Sequence, residues 1–291
     1  MSPETKRSVI AIVVVLLIAT GLAFAGSQGG VNVNGFPLFA LCVALAFIIQ
    51  WLAFIPAYVF RTEKFYDLTG GITYLTVITV ALFLSTNMDN RSLLLTGIIA
   101  VWAIRLASFL FMRIRAAGED RRFREIKQSF ARFLLTWTLQ GLWVAFSLAA
   151  ALAAITSTVR KELDAFAVIG FLVWLFGFAF EVIADSQKSA FNANAANKGK
   201  FIHTGLWAWS RHPNYFGEIV LWIGVTIIAL PILQGWQWAT LISPIFIILL
   251  LTRISGIPLL EKRADEKWGG QPDYEAYKAG TSVLVPMPPK K

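Results

Sequence analysis

One cysteine and two histidines in 291 residues remove several chemistries at the outset. A lone thiol cannot close an intramolecular disulfide or build a cysteine-cluster metal site, and two imidazoles are too few for a histidine-rich one, so no metal is expected. Neither a Gly-x-Gly-x-x-Gly fingerprint nor a P-loop pattern occurs, which excludes a soluble nucleotide-binding domain of those kinds, and no internal repeat is visible. Charge is sparse as well, at 15% Asp, Glu, Lys and Arg, whereas 57% of the residues are hydrophobic. That balance describes a polytopic membrane protein. The length accommodates about eight spans of roughly 20 residues each.

Apolar runs fall near residues 8–25, 37–60, 68–86, 93–112, 130–154, 164–186, 214–232 and 236–256. The predicted fold is an all-α membrane bundle of seven or eight helices. A net charge of +9 reads as a topology signal rather than as a nucleic-acid footprint, because the basic residues are unevenly placed. Lys6, Arg7, Arg61, Lys64, the cluster from Arg113 through Arg121, Arg122, Arg124 and Lys127 to Arg132, then Lys188, Lys198, Lys200, Arg211 and the tail from Arg253 to Lys291 fall on one side. Arg91, Arg160 and Lys161 fall on the other. The positive-inside rule then puts both termini in the cytoplasm, with the long connectors and any cofactor cavity opening to that side. The first segment has the outline of a signal peptide, but Ala-Phe-Ala-Gly matches a cleavage site poorly, so it reads as a retained helix. Residues 1–34 are taken as an extra helix with an outer loop. Residues 35–291 form the membrane-embedded domain with a short cytoplasmic tail.

The stretch that hydropathy does not explain runs from Phe201 to Glu218 and holds both histidines, His203 and His212. Pro213 pushes His212 out of the helical region and suits the first turn of a new helix. Asn214, Tyr215 and Glu218 then lie on the first turns of a membrane helix, at its positive dipole end, with Arg211 just before. Such an entrance predicts a bound anion. Arg105, midway along the fourth span, is costly at that depth and points to a polar cavity. Glu181, Asp185 and Lys188 share one face of the sixth helix, either as an exposed interfacial face or as a polar wall with Lys188 near phosphate. Arg253 and Glu261, near the inner end of the eighth helix, are anchors taken alone; with Arg211 and Lys188, Arg253 completes a cationic ring suited to a polyphosphate. Tyr66 and Asp67 begin the third helix. They read either as an interfacial aromatic and an N-cap or as an acid pair that polarises a substrate carbonyl.

Ser210-Arg-His-Pro-Asn-Tyr-Phe-Gly-Glu218, preceded by Glu181-x-x-x-Asp185 and followed by Arg253, Glu261 and a Tyr274-x-x-Tyr277 tail, resembles the steroid 5-alpha-reductase C-terminal superfamily. The similarity covers roughly residues 35–288. It is greatest to bacterial members of formerly unknown function; membrane sterol reductases share the same architecture, as do, more distantly, isoprenylcysteine carboxyl methyltransferases. The resemblance implies a bacterial inner-membrane protein in which Glu181, Asp185, Asn214, Glu218 and Arg253 surround NADPH, with Arg105 approaching the cofactor. The superfamily's steroid enzymes hold a 3-oxo group with a glutamate and a tyrosine. Those positions fall near Asp67 and on Trp102, and an indole cannot act as an acid. The expected activity is NADPH-dependent reduction of a conjugated carbon–carbon double bond in a lipid, with Tyr66 and Asp67 as the acid pair. The alternative is an S-adenosylmethionine-dependent methyltransferase of the isoprenylcysteine type. A third reading is a lipid-binding or scaffold protein. The expected partners are a lipid-soluble substrate and the bilayer, without nucleic acid, and a monomer is compatible with all three readings.

Overall fold

The structure is a computed structural model that describes residues 2–85, 88–120 and 123–289. Arg121 and Arg122 of the basic cluster, and Lys290 and Lys291 of the tail, lie outside the described residues. Among the described residues the chain is all-α apart from one two-stranded hairpin, β1 (Asn32–Val33) and β2 (Phe36–Pro37). Its helices are α1 (Pro3–Gly26), α2 (Leu38–Val59), α3 (Tyr66–Leu84), α4 (Asn90–Ala117), α5 (Phe123–Ile126), α6 (Phe130–Thr156), α7 (Ala165–Ala193), α8 (Pro213–Ala229), α9 (Ile242–Leu249), α10 (Ile257–Trp268) and α11 (Pro272–Gly280).

Among the described residues, eight helical segments are long and apolar enough to cross a membrane, as the sequence predicts. The chain is a polytopic membrane helix bundle. Local chemistry sets several boundaries. Ser2 caps α1 by accepting from the Thr5 N–H, with Pro3 in the first turn. Asp89 caps α4 through the Ser92 N–H at 2.7 Å. Pro213 opens α8 as expected. At α3 the N-cap position is Phe65, and Asp67 lies inside the first turn rather than capping it. The last span, Gly235–Trp268, is not one regular helix. A 3₁₀ turn (Gly235–Leu241) leads into α9, then a π-helical segment (Leu250–Ile254), a break at Ser255–Gly256, and α10.

The helices sort into two compact units. The first comprises Met1–Ala167 and Ile228–Ser243. Its centre is α6, whose run from Leu148 to Ile155 is buried on every side. A helix covered all round must be apolar all round, and the alanines from Ala149 to Ala154 let neighbours approach closely. Near one end, Phe54, Phe123, Phe133 and Trp137 form an aromatic cluster. Helix α1 is built into this unit: Glu4 pairs with Arg132 at 2.9 Å, and the loop after α1 bonds the end of α6 through Val31 N–H to Thr156 O at 2.7 Å. Arg61 donates to the Lys127 carbonyl at 2.8 Å, and buried Glu63 pairs with Lys127 at 2.7 Å. The N-terminus and the two basic connectors after α2 and α4 therefore lie at one end of the unit.

Near the N-terminal end of α4, Arg91 is 1% exposed. It donates to the carbonyls of Ile228 and Glu162, both at 2.7 Å, and pairs with Asp164 at 2.9 Å. From sequence, Arg91 reads only as a charge in an outer connector. The structure makes it a clamp on backbone carbonyls in an apolar setting.

The second unit comprises Val168–Ile227 and Pro244–Lys291. Its frame is an antiparallel contact between α7 and α8 made through glycines at heptad spacing, Gly170 and Gly177 on one helix, Gly217 and Gly224 on the other. A Cβ on Gly177 would fall 2.5 Å from the Leu221 nitrogen. One on Gly217 would fall 2.6 Å from the Glu181 nitrogen, and one on Gly224 would fall 2.5 Å from the Trp174 nitrogen. The backbones touch, and only glycine permits that approach.

Candidate functional site

The glycine contact runs down to the polar end of the second unit and sets its register. Gly217 lies against Glu181, and three residues earlier the Asn214 amide donates to Asp185 Oδ1 at 3.1 Å. Glu181, Asp185 and Glu218 are all buried, at 2%, 6% and 8% exposure. The sequence-predicted wall is therefore a buried one, and the exposed interfacial reading of Glu181 and Asp185 does not hold. Lys188, one turn further along, places its ammonium 4.4 Å from the centre of the Trp207 ring.

The connector between α7 and α8 docks onto the end of α7. Gly205 adopts φ +63° where a Cβ would meet the Gln187 amide at 2.6 Å. The Leu206 N–H donates to that amide oxygen at 2.9 Å, and the Trp207 indole donates to Ala184 O at 3.0 Å. The C-terminal segment then straps the connector from its other side. Arg211 N–H donates to Ser282 O at 2.8 Å, the Ser210 hydroxyl to Leu284 O at 2.8 Å, and Met287 N–H to Trp209 O at 3.0 Å. The Tyr277 hydroxyl donates to Trp207 O at 2.8 Å, and burial raises its pKa. Tyr274 is raised too, by burial and then by its bond to Asp265.

Held this way, Arg211 and His212 meet α10. Glu261 takes the Arg211 guanidinium on one carboxylate oxygen and His212 Nε2 on the other, each at 2.7 Å. The His212 ring lies nearly parallel to Tyr215, with centroids 5.8 Å apart. His212 is 5% exposed, and burial lowers its pKa below the usual 6.5 against the opposing pull of Glu261. Burial thus favours the neutral imidazole. Its Nδ1, the Arg211 Nε and the Asn214 Oδ1 are buried without a hydrogen-bond partner among the described residues.

Among the sequence-predicted residues, the structure thus joins Arg211, His212, Tyr215 and Glu261 in one cluster and Asp185 with Asn214 in another. Glu181 and Glu218 lie along the same glycine contact. Arg253 stands on the π-helical segment, exposed. Such segments are frequent at functional positions. Arg105, Tyr66 and Asp67 belong to the first unit. The Arg105 guanidinium lies 5.3 Å from the Phe109 ring centre. The Tyr66 hydroxyl donates to Thr136 O at 3.0 Å, with its ring against Phe123 and Trp137 at 4.9 and 5.1 Å.

The sequence reading missed Gln187, Trp207 and Ser210 as the residues that seat the connector, and it missed the glycine contact. The seven-residue spacing of Gly170 and Gly177, repeated in Gly217 and Gly224, is the signal that could have found that contact.

Comparison with known proteins finds no match among curated proteins and none among solved structures. One family model, described as Protein of unknown function (DUF1295), matches residues 53–281 and takes in both polar clusters. With most of its length matched, the chain belongs to that family.

Proposed function

We propose that this protein is a membrane-bound reductase that uses NADPH to saturate a conjugated carbon–carbon double bond in a lipid enone, steroid-like or otherwise. The observation that carries the reading is the entrance of α8. There Asn214 is fixed on Asp185, and Arg211 and His212 are fixed on Glu261, at the polar end of two apolar helices in backbone contact. Polar groups oriented this closely by buried partners suit ligand recognition better than a plain connector does.

In this reading Glu181, Asp185, Asn214, Glu218 and the Arg211–His212–Tyr215–Glu261 cluster hold the nucleotide. Lys188 and Arg253 supply charge for its phosphates. NADPH, when bound, supplies the hydride for the electron-poor carbon of the enone. The chain would stabilise negative charge developing on the carbonyl oxygen through Tyr66, with Asp67 beside it, Tyr66 turning from Thr136 O to do so, and the resulting enolate would take its carbon-bound proton from water. A site within apolar helices dissolves the lipid and keeps water from the transfer. The basic connectors at one end of the first unit support a cytoplasmic opening, and the resemblance supports a bacterial inner membrane.

A specific observation favours the second reading, an S-adenosylmethionine-dependent lipid methyltransferase. Arg211 spends its charge on Glu261, which makes the entrance less cationic than its sequence and more tolerant of a cationic cofactor. Thermal unfolding of the detergent-purified protein with NADPH, NADH, S-adenosylmethionine and S-adenosylhomocysteine separates the two, because a ligand of the native state raises the melting temperature by mass action. A shift with NADPH alone is expected. A shift with S-adenosylmethionine reverses the assignment, and no shift with any of the four favours a lipid-binding protein.

A further inference from the structure

We infer that the entrance of α8 presents a pair of fixed hydrogen-bond acceptors, His212 Nδ1 and Asn214 Oδ1, and therefore grips a donor-bearing part of its ligand, hydroxyls or an amide, rather than a phosphate. The chemistry of the partners behind each group dictates this. A carboxylate only accepts, so His212 must carry a proton on Nε2 to bond Glu261 at 2.7 Å, and in the neutral ring that burial favours Nδ1 is then a lone pair. The second carboxylate oxygen is taken by Arg211, which fixes Glu261 from the other side. The stacked Tyr215 ring sets the imidazole plane. Asn214 obeys the same logic. Its NH2 must face the Asp185 carboxylate, so its Oδ1 is left bare. Both acceptors are buried without a partner. A sealed, unpaired acceptor costs on the order of 1–3 kcal/mol. A ligand donor removes that cost at both atoms and a phosphate oxygen at neither, while the unpartnered Arg211 Nε is left for an acceptor on the same ligand.

The charged groups around His212 agree with a neutral ring. Glu261 from α10 favours protonation, while Arg211 from the connector and Lys188 from α7 oppose it, and burial adds to the opposition. Glu261 and Asp185 are thus positioning residues, acting through the groups in front of them. This reverses the sequence expectation of an anion site at this helix start. It rests on the nucleotide reading only for the ligand's identity, and it places the ribose or carboxamide here and the phosphates elsewhere.

The chain's two histidines make the test spectroscopic. Histidine-selective 15N labelling of the detergent-solubilised full chain gives two ring systems, with exposed His203 as the internal reference. At pH 7.5 His212 is expected as the pure Nε2–H tautomer, with Nδ1 unprotonated. Glu261→Gln should abolish that preference, since an amide can also donate to Nε2, and should weaken NADPH binding on the order of tenfold. Nicotinamide riboside should shift Nδ1, and inorganic pyrophosphate should not. A doubly protonated His212, an Nδ1–H tautomer, or an Nδ1 shift with pyrophosphate overturns the inference, and the unsubstituted protein alone decides it if Glu261→Gln does not fold. If the tautomer is as stated but S-adenosylmethionine moves Nδ1 and NADPH does not, the acceptor pair stands and the reductase reading falls.

Discussion

Two arginines divide the molecule more clearly than its helices do. Arg91 in the first unit is closed on backbone: its Nη atoms reach Ile228 O and Glu162 O, Asp164 neutralises it, and it is 1% exposed. Arg211 in the second unit bonds one carboxylate oxygen, shares that carboxylate with a histidine, and keeps a buried Nε without a partner. The first arrangement completes the backbone's hydrogen bonding and has no capacity left for a ligand. The second aims side chains with hydrogen-bonding capacity to spare. The identity of a buried charge therefore says little about its purpose, and what its partners leave unsatisfied says more.

Substitutions can break this contrast, and the largest effect belongs to the clamp. Arg91→Met leaves the Ile228 and Glu162 carbonyls without their side-chain donor and Asp164 with its bond from the Ala167 N–H, with an expected loss of about 3–5 kcal/mol in chemical unfolding. Any loss of nucleotide binding should follow the fraction folded; a selective loss in folded protein would place Arg91 in a site. Gly177→Ala comes next. Its methyl would meet the Leu221 nitrogen at 2.5 Å, a backbone atom that cannot turn aside. A cost of about 1–3 kcal/mol is expected from such overpacking, and an unchanged melting temperature would show that α7 and α8 are further apart. Asn214→Ala should weaken NADPH binding about tenfold while costing the fold only ~1 kcal/mol, read by titration beside thermal unfolding.

Tyr66→Phe removes one hydrogen bond to Thr136 O, worth roughly 0.5–1.5 kcal/mol. Turnover that falls further than stability accounts for would keep the phenol as the acid, and full turnover would make it packing alone. The smallest effect is a pH dependence. Because His212 has a lowered pKa in the fold, the unfolded chain binds its proton more readily. The favourable contribution is complete above the ordinary 6.5 and is lost as pH falls from there towards the lowered folded value. His212→Gln should flatten that part of the stability profile. An unchanged slope would mean that the histidine is not buried neutral.

Much of this architecture is legible in the sequence because it depends on local rules. Eight apolar runs give eight spans, and Pro213 opens α8 where the restriction on His212 requires. The buried carboxylates and the α8 entrance stand out as polarity that hydropathy cannot explain. Other features depend on partners far away in the chain and leave little local trace. Nothing next to Arg91 announces that Ile228 O awaits it, 137 residues on. Nothing beside Glu261 announces that it will pair with Arg211 and His212, 50 and 49 residues earlier in the chain. The glycines lie between the two cases, since their heptad spacing is visible but only the partner helix gives it meaning.

The break in the last span has a consequence for depth. As a continuous helix, its 34 residues would measure about 51 Å, well beyond a hydrocarbon core of about 30 Å. The π-helical segment and Gly256 relieve that mismatch by ending the apolar part before α10, whose Glu261, Lys262, Arg263, Asp265, Glu266 and Lys267 belong among headgroups. Glu261 stands five residues past Gly256, so the break works as a depth gauge. Adding or removing a helical turn ahead of it would move the carboxylate by ~5 Å along the membrane normal, away from the histidine it orients.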